Sequence, residues 1–208
     1  MNWLAHLLLS EPQPAFRLGN ILPDMLRLDG INALPEVFAR GVACHRAIDA
    51  FTDAHPVVKK SVARIRPPFR RYGNALADVF YDHFLSVRWS EYSHRSRDDL
   101  IAEFYASFDD WREQIPPNVF PVLERMREQN WLGSYQTVDG VELTLRRMSG
   151  RLKSVFPLHE AVGELKNSYS ELQRDFEEYF PQLVAHVIER FDVSTQVVAS
   201  HRVAKTLR

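Results

Sequence analysis

The segment Leu76-Ala77-Asp78-Val79-Phe80-Tyr81-Asp82-His83-Phe84-Leu85 is apolar on nearly every side of a helix, yet it carries two aspartates four residues apart. A helix of that composition belongs in the interior, and the fold must surround it. Buried carboxylates are costly unless paired, hydrogen-bonded or bound to a cation. Like charges at i, i+4 also repel one another. The chain has 208 residues, 45% of them hydrophobic and 25% charged, and a domain of this size buries about 70% of its unfolded surface, so a central helix of this kind can be enclosed.

The rest of the chain reads as helix too. Residues 36–54 carry no internal proline and lie between Pro35 and Pro56. Residues 73–89, 96–114 and 118–130 also read as helix, punctuated by Pro116-Pro117. From Pro157 a periodic pattern runs through Leu165, Tyr169, Leu172, Phe176 and Phe180, and Pro181 is expected to break or kink it. Asp139-Gly140 is the nearest approach to a hairpin turn, but the following residues continue into a helical pattern. No linker rich in glycine and serine and no fixed-period repeat divides the chain. The expectation is a single all-α domain over 1–208, with 192–208 as a looser tail.

Within 36–54, His45, Asp49 and Asp53 stand at i, i+4 and i+8, inside an arc of about 80°. They share that stripe with Phe38, Val42 and Thr52, which should face a core. Upstream, His6 interrupts an apolar N-terminal helix, and Asp24 follows Gly19-Asn20-Ile21-Leu22-Pro23 at an apparent turn. Histidine nitrogen combined with carboxylate oxygen suits manganese, iron or zinc better than calcium. Such a site would activate a bound water and hold a phosphoryl oxygen. The competing reading is structural: histidines satisfied within a core, and aspartates that accept from helix ends or pair with arginines. His83 lies about 140° around its helix from Asp78, so it reads as a supporting or core residue.

Other constellations fail. A ferritin-like di-iron bundle needs two Glu-x-x-His pairs, and only Glu91-Tyr92-Ser93-His94 fits, in a polar stretch. Neither common phosphate-cradling glycine loop is present. The one cysteine, Cys44, excludes an internal disulfide framework and fits a reducing compartment, which points to a cytoplasmic protein. Apolar runs are far shorter than the ~20 residues of a membrane span. Lysine and arginine total 26 against 27 acids, so no charge excess points to nucleic acid. A local strip is basic nonetheless: Lys59, Lys60, Arg64, Arg66, Arg70 and Arg71 occur with no acid among them, and Arg146, Arg147, Arg151 and Lys153 form a second cluster. These are either solvated helix faces or a docking patch for an acidic partner.

Several segments resemble the acyl carrier protein phosphodiesterases, also called acyl carrier protein hydrolyases. They are Met1-Asn2-Trp3-Leu4-Ala5-His6-Leu7, Gly19-Asn20 with Asp24, and the run from Gly41 to Asp53 containing His45-Arg46-Ala47-Ile48-Asp49. Asp78 to Leu85, Trp131-Leu132, Tyr135, Gly140 and Arg147-Met148-Ser149-Gly150-Arg151 extend the likeness, which covers residue 1 to roughly 190. The resemblance implies an all-α fold related to the HD-domain metal phosphohydrolases, although this chain has no contiguous His-Asp pair. It implies Mn2+ as the usual cofactor, with Fe2+ or Mg2+ as alternatives. The implied reaction is hydrolysis of 4′-phosphopantetheine from the serine of holo acyl carrier protein, a small acidic partner suited to the basic strip. On this reading His6, Asp24, His45, Asp49 and Asp78 hold the metal. Asp53 and Asp82 complete the shell or act as base and orienting acid, and Arg46 and Arg151 contact phosphate. A nucleotide or other small phosphodiester is the alternative substrate, and a non-catalytic module that binds carrier protein or stores metal is the reading from another class.

Overall fold

The structure is a computed structural model that describes residues 1–150, 156–194 and 196–198. Twelve α-helices, joined by short 3-10 turns, make up the described residues. They are α1 (Trp3–Leu8), α2 (Pro14–Ile21), α3 (Leu28–Asn32), α4 (Ala39–Ala54), α5 (Pro56–Arg64) and α6 (Gly73–Val87) in the first half. The second half holds α7 (Trp89–Tyr92), α8 (Arg97–Ala106), α9 (Phe120–Glu128), α10 (Val138–Ser149), α11 (Val162–Asn167) and α12 (Tyr169–Ile188). No strand is present among the described residues, only an isolated bridge between Ser93 and Val197. The architecture is all-α, as the sequence pattern predicts.

Helix α6 is the axis of the core. Leu76, Val79, Phe80, Tyr81, Phe84 and Leu85 are all buried, and α1, α5, α10 and α12 pack around them. Helix α1 is only six residues long, too short to persist alone in water. Two of its first-turn amides, which have no intrahelical partner, donate to α6: Leu4 N to Asp82 Oδ2 at 2.8 Å and Ala5 N to Asp82 Oδ1 at 3.1 Å.

Helices α2 and α4 meet at two glycines. A Cβ on Gly19 would lie 2.4 Å from the Phe38 carbonyl oxygen, and one on Gly41 would lie 2.2 Å from that of Phe16. Only a residue without a side chain permits backbones this close. The consequence is functional, because the crossing sets Asn20 of α2 directly against His45 of α4.

Several boundaries differ from the sequence expectation: the stretch 96–114 is α-helical only as α8, Arg97–Ala106, and goes on into a 3-10 turn at Asp109–Trp111. The pattern after Pro157 divides at Ser168 into α11 and α12. Pro181 does not end α12, which continues to Ile188. Proline removes one i→i−4 bond, and the buried Phe180, Leu183, Val184 and Val187 around it supply packing that outweighs the loss. The expected loose tail is also partly packed: Val193, Gln196 and Val197 are buried, and the Asp192 amide donates to Glu11 Oε1 at 3.0 Å. The rest of the tail, 195 and 199–208, lies outside the described residues.

Candidate active site

Four elements bring the predicted residues together. His6 comes from α1, Asp24 from the 3-10 turn Leu22–Met25, His45 and Asp49 from α4, and Asp78 from α6. His6 Nε2 lies 3.2 Å from Asp49 Oδ1, and His45 Nε2 lies 3.1 Å from Asp49 Oδ2. The two imidazoles stack with centroids 4.5 Å apart. Asp24 Oδ1 stands 3.8 Å from His45 Nε2. Asp78 joins the group through the α-amine of Met1, 3.2 Å from Asp78 Oδ1 and 3.4 Å from Asp49 Oδ1.

Asn20 decides which nitrogen of each ring faces the cluster. Its Nδ2 donates to the His6 carbonyl and to Ser10 Oγ, so its Oδ1 is the atom that accepts from His6 Nδ1 at 2.9 Å. Its backbone carbonyl accepts from His45 Nδ1 at 3.0 Å. Both Nδ1 atoms therefore carry the proton in the neutral rings, and both Nε2 lone pairs point toward Asp49. His6 Nε2 is buried and makes no hydrogen bond despite the nearby carboxylate. Lone pairs and carboxylate oxygens that face one another at this range call for positive charge between them.

The electrostatics agree. Burial lowers the Met1 amine's hold on its proton, but Asp78, Asp49 and Asp24 outweigh it and push its pKa up to about 11. Burial would raise the Asp49 carboxyl, yet the positive charge that the adjacent His45 and His6 rings carry when protonated, with that of the Met1 amine, outweighs it and holds the carboxyl well below the usual carboxylate range. Burial, aided by Asp49 and Asp24, raises the Asp78 carboxyl, with the Met1 amine opposing. The space among the three carboxylates thus stabilises a cation. Two imidazole nitrogens and three carboxylates are a donor set that could hold manganese or iron.

Other residues singled out in the sequence fall elsewhere. Asp82 is fully buried and spends both carboxylate oxygens on the α1 amides. Burial pushes its pKa up to about 8 against those two bonds. Its position is that of a helix anchor, not of a base facing solvent. Asp53 is exposed on α4, one turn beyond Asp49 and outside the cluster of His6, His45 and Asp49. Arg46 is likewise exposed on α4. Arg151 lies outside the described residues. His83 donates from Nδ1 to the Tyr135 carbonyl at 2.8 Å and meets the Tyr169 hydroxyl at 3.0 Å, a satisfied core histidine. Sequence reasoning gave no role to Asn20, for which the available signal was a lone asparagine on an otherwise buried helix.

A cavity of about 210 Å3 opens beside the cluster, with Asp24, Asp78, Trp3, Trp131, Tyr135 and Arg147 in its wall. The basic strip stays at the surface, but half of it is paired with acids of this chain. Lys60 and Arg64 pair with Asp175, and Arg66 pairs with Glu164.

Fold and cluster together define a class: all-α proteins with a mixed histidine and carboxylate cluster held between helices. A family model described as acyl carrier protein phosphodiesterase matches residues 1–183. Curated proteins of that name are similar along nearly their whole length. The relative from Enterobacter sp. (strain 638) is 29% identical over 185 residues, 88% of this chain and 96% of that protein. The one from Klebsiella pneumoniae (strain 342) is 29% identical over 191 residues, again 88% and 96%. The one from Escherichia coli O157:H7 (strain EC4115 / EHEC) is 30% identical over 194 residues, 89% and 96%. The chain belongs to the acyl carrier protein phosphodiesterase family. No solved structure matches it.

Proposed function

We propose that this chain is a metal-dependent phosphodiesterase, related in architecture to the HD-domain phosphohydrolases, that removes 4′-phosphopantetheine from the serine of holo acyl carrier protein. The observation that carries this reading is the convergence of His6 Nε2, His45 Nε2 and Asp49, within 4.8 Å of one another, in a chain of this family. His6, Asp24, His45, Asp49 and Asp78 would hold the ion, Mn2+ in the first instance and Fe2+ or Mg2+ as alternatives. When bound, it supplies positive charge that polarises a phosphoryl oxygen and makes water more acidic.

The chain's own residues do the rest. Asn20 keeps both imidazoles in the tautomer that presents Nε2. Asp82 fixes α1, and with it His6, against α6. Hydrolysis forms one bond from phosphorus to a water oxygen and breaks the bond from phosphorus to the serine Oγ. The serine oxygen takes up the proton that the water gives up, leaving apo carrier protein and free 4′-phosphopantetheine.

Asp78→Asn tests the assignment. It keeps the volume and removes the charge of a side chain that is a quarter exposed, so the fold should survive. Release of 4′-phosphopantetheine, followed by chromatography, should fall at least about 100-fold with an unchanged melting temperature. Wild-type turnover in the variant would remove Asp78 from the site. Cleavage of a chromogenic diester by the wild type, with carrier protein untouched, would move the substrate to small phosphodiesters.

A further inference from the structure

Arg147 and Tyr135 stand on the cavity wall with polar atoms that nothing in the protein satisfies. Tyr135 is fully buried and its hydroxyl has no hydrogen-bond partner. Arg147 Nη1 is buried and equally unpartnered, although its guanidinium carbon lies 5.4 Å from the centroid of Trp131. Arginines elsewhere in the fold are compensated: the buried Arg17 pairs with Glu103 and the half-buried Arg88 with Glu177. Arg147 has no carboxylate partner among the described residues. A half-buried guanidinium without a counter-charge and a buried hydroxyl without an acceptor are each unfavourable alone. One incoming anion would satisfy both.

The fold holds the pair together deliberately. The Tyr135 carbonyl is gripped by His83 Nδ1. Thr137 caps α10, its side chain accepting from Gly140 N at 3.0 Å. A Cβ on Gly140 would lie 1.7 Å from the Ser134 carbonyl oxygen, so α10 sits hard against the 3-10 turn Gly133–Gln136 that carries Tyr135. Arg147, two turns further along α10, is thereby brought to the cavity. Asp24, Asp82 and Arg147 are all close enough for their charges to act on the tyrosine hydroxyl. Trp3 and Trp131 stack at 5.8 Å with planes 14° apart, giving the same cavity a flat apolar wall.

We propose that Arg147 Nη1 and the Tyr135 hydroxyl form an anion subsite that receives the non-bridging oxygens of a phosphoryl group, whose organic arm lies along the Trp3–Trp131 wall. The subsite deepens the function proposed above and rests on it for the identity of the arm. It adds Arg147 and Tyr135 to Arg46 and Arg151, the phosphate contacts named from the sequence, of which Arg46 is exposed on α4 and Arg151 lies outside the described residues.

Calorimetry on the full chain tests it with three probes: inorganic phosphate, 4′-phosphopantetheine, and pantetheine, which lacks the phosphate. The wild type should bind both phosphates, and Arg147→Ala should weaken them about 10- to 100-fold while leaving pantetheine unchanged. Tyr135→Phe keeps the packed ring and should cost about 5-fold. Arg147→Lys, which retains charge but not the fork, should fall between wild type and alanine. Selective loss of phosphate affinity supports the subsite even if the wild type leaves holo carrier protein intact, in which case the carrier reading alone fails. Equal phosphate affinity in wild type, Arg147→Ala and Tyr135→Phe overturns the subsite, whether or not holo carrier protein is hydrolysed.

Discussion

Asn20 holds both site histidines, His6 through its side chain and His45 through its main chain. Partners of this kind typically control metal affinity by 10- to 100-fold. Asn20→Ala should therefore lower Mn2+ affinity about 10- to 100-fold by calorimetry, and affinity equal to wild type would show that the ring orientation does not depend on it. Asp82 offers the opposite kind of test. Asp82→Ala strips the cap from α1 and leaves two buried amides unsatisfied, so it should destabilise the protein by about 2 kcal/mol or more in urea titration. Asp78→Asn, one helical turn before Asp82 and making neither of those amide bonds, should leave the unfolding midpoint nearly unchanged. At this scale the sequence exposed the misplaced acids and histidines but not the division of labour among them. A buried aspartate on an apolar helix fits a cation and a helix end equally well. What separates Asp82 from Asp78 is the proximity of amides 77 and 78 residues away in the chain, a contact no spacing rule contains.

Between elements, the site depends on how closely α2 and α4 approach. Gly41→Ala would place a methyl group 2.2 Å from a backbone oxygen that cannot rotate aside. The helices must separate, at a cost of about 1–3 kcal/mol, and the Asn20–His45 bond should lengthen with them. The variant should show a lower melting temperature together with weaker Mn2+ binding, whereas stability lost with metal affinity intact would uncouple the crossing from the site. A second joint links α5 to α12. Burial raises the Asp175 carboxyl, but bonds from Arg64, Lys60 and Ser61 outweigh it and hold it below its ordinary value. A carboxyl depressed in the folded state contributes stability that is full above its unfolded value of about 3.9 and is lost as pH falls through the folded value. Urea midpoints of the wild type should thus drop on acidification in that range, and Asp175→Asn should flatten the drop. Helix positions were legible from proline punctuation and apolar period. The passage of α12 through Pro181 was not, because the packing that offsets the lost bond comes from other helices.

Across the whole molecule, the enclosed α6 that its own sequence demands is what organises the fold: α1 hangs from it, α4 faces its aspartate, and α10 flanks it. Half of the basic strip that reads as a docking patch in one dimension, Lys60, Arg64 and Arg66, is engaged with Asp175 and Glu164 in three. Charge runs show which residues are cationic but not which acids fold back on them. Among the described residues, no helix is long and apolar enough to cross a membrane. The proposed function requires the His6, His45 and Asp49 cluster, loaded with a divalent cation, to hydrolyse the phosphodiester of holo acyl carrier protein. Intact-mass spectrometry of holo carrier protein incubated with this chain tests it most directly, with Mn2+ in one sample and a chelator in the other. Loss of the phosphopantetheine mass is expected with Mn2+ and an unchanged mass with chelator. An unchanged carrier mass in the presence of bound Mn2+ would contradict it.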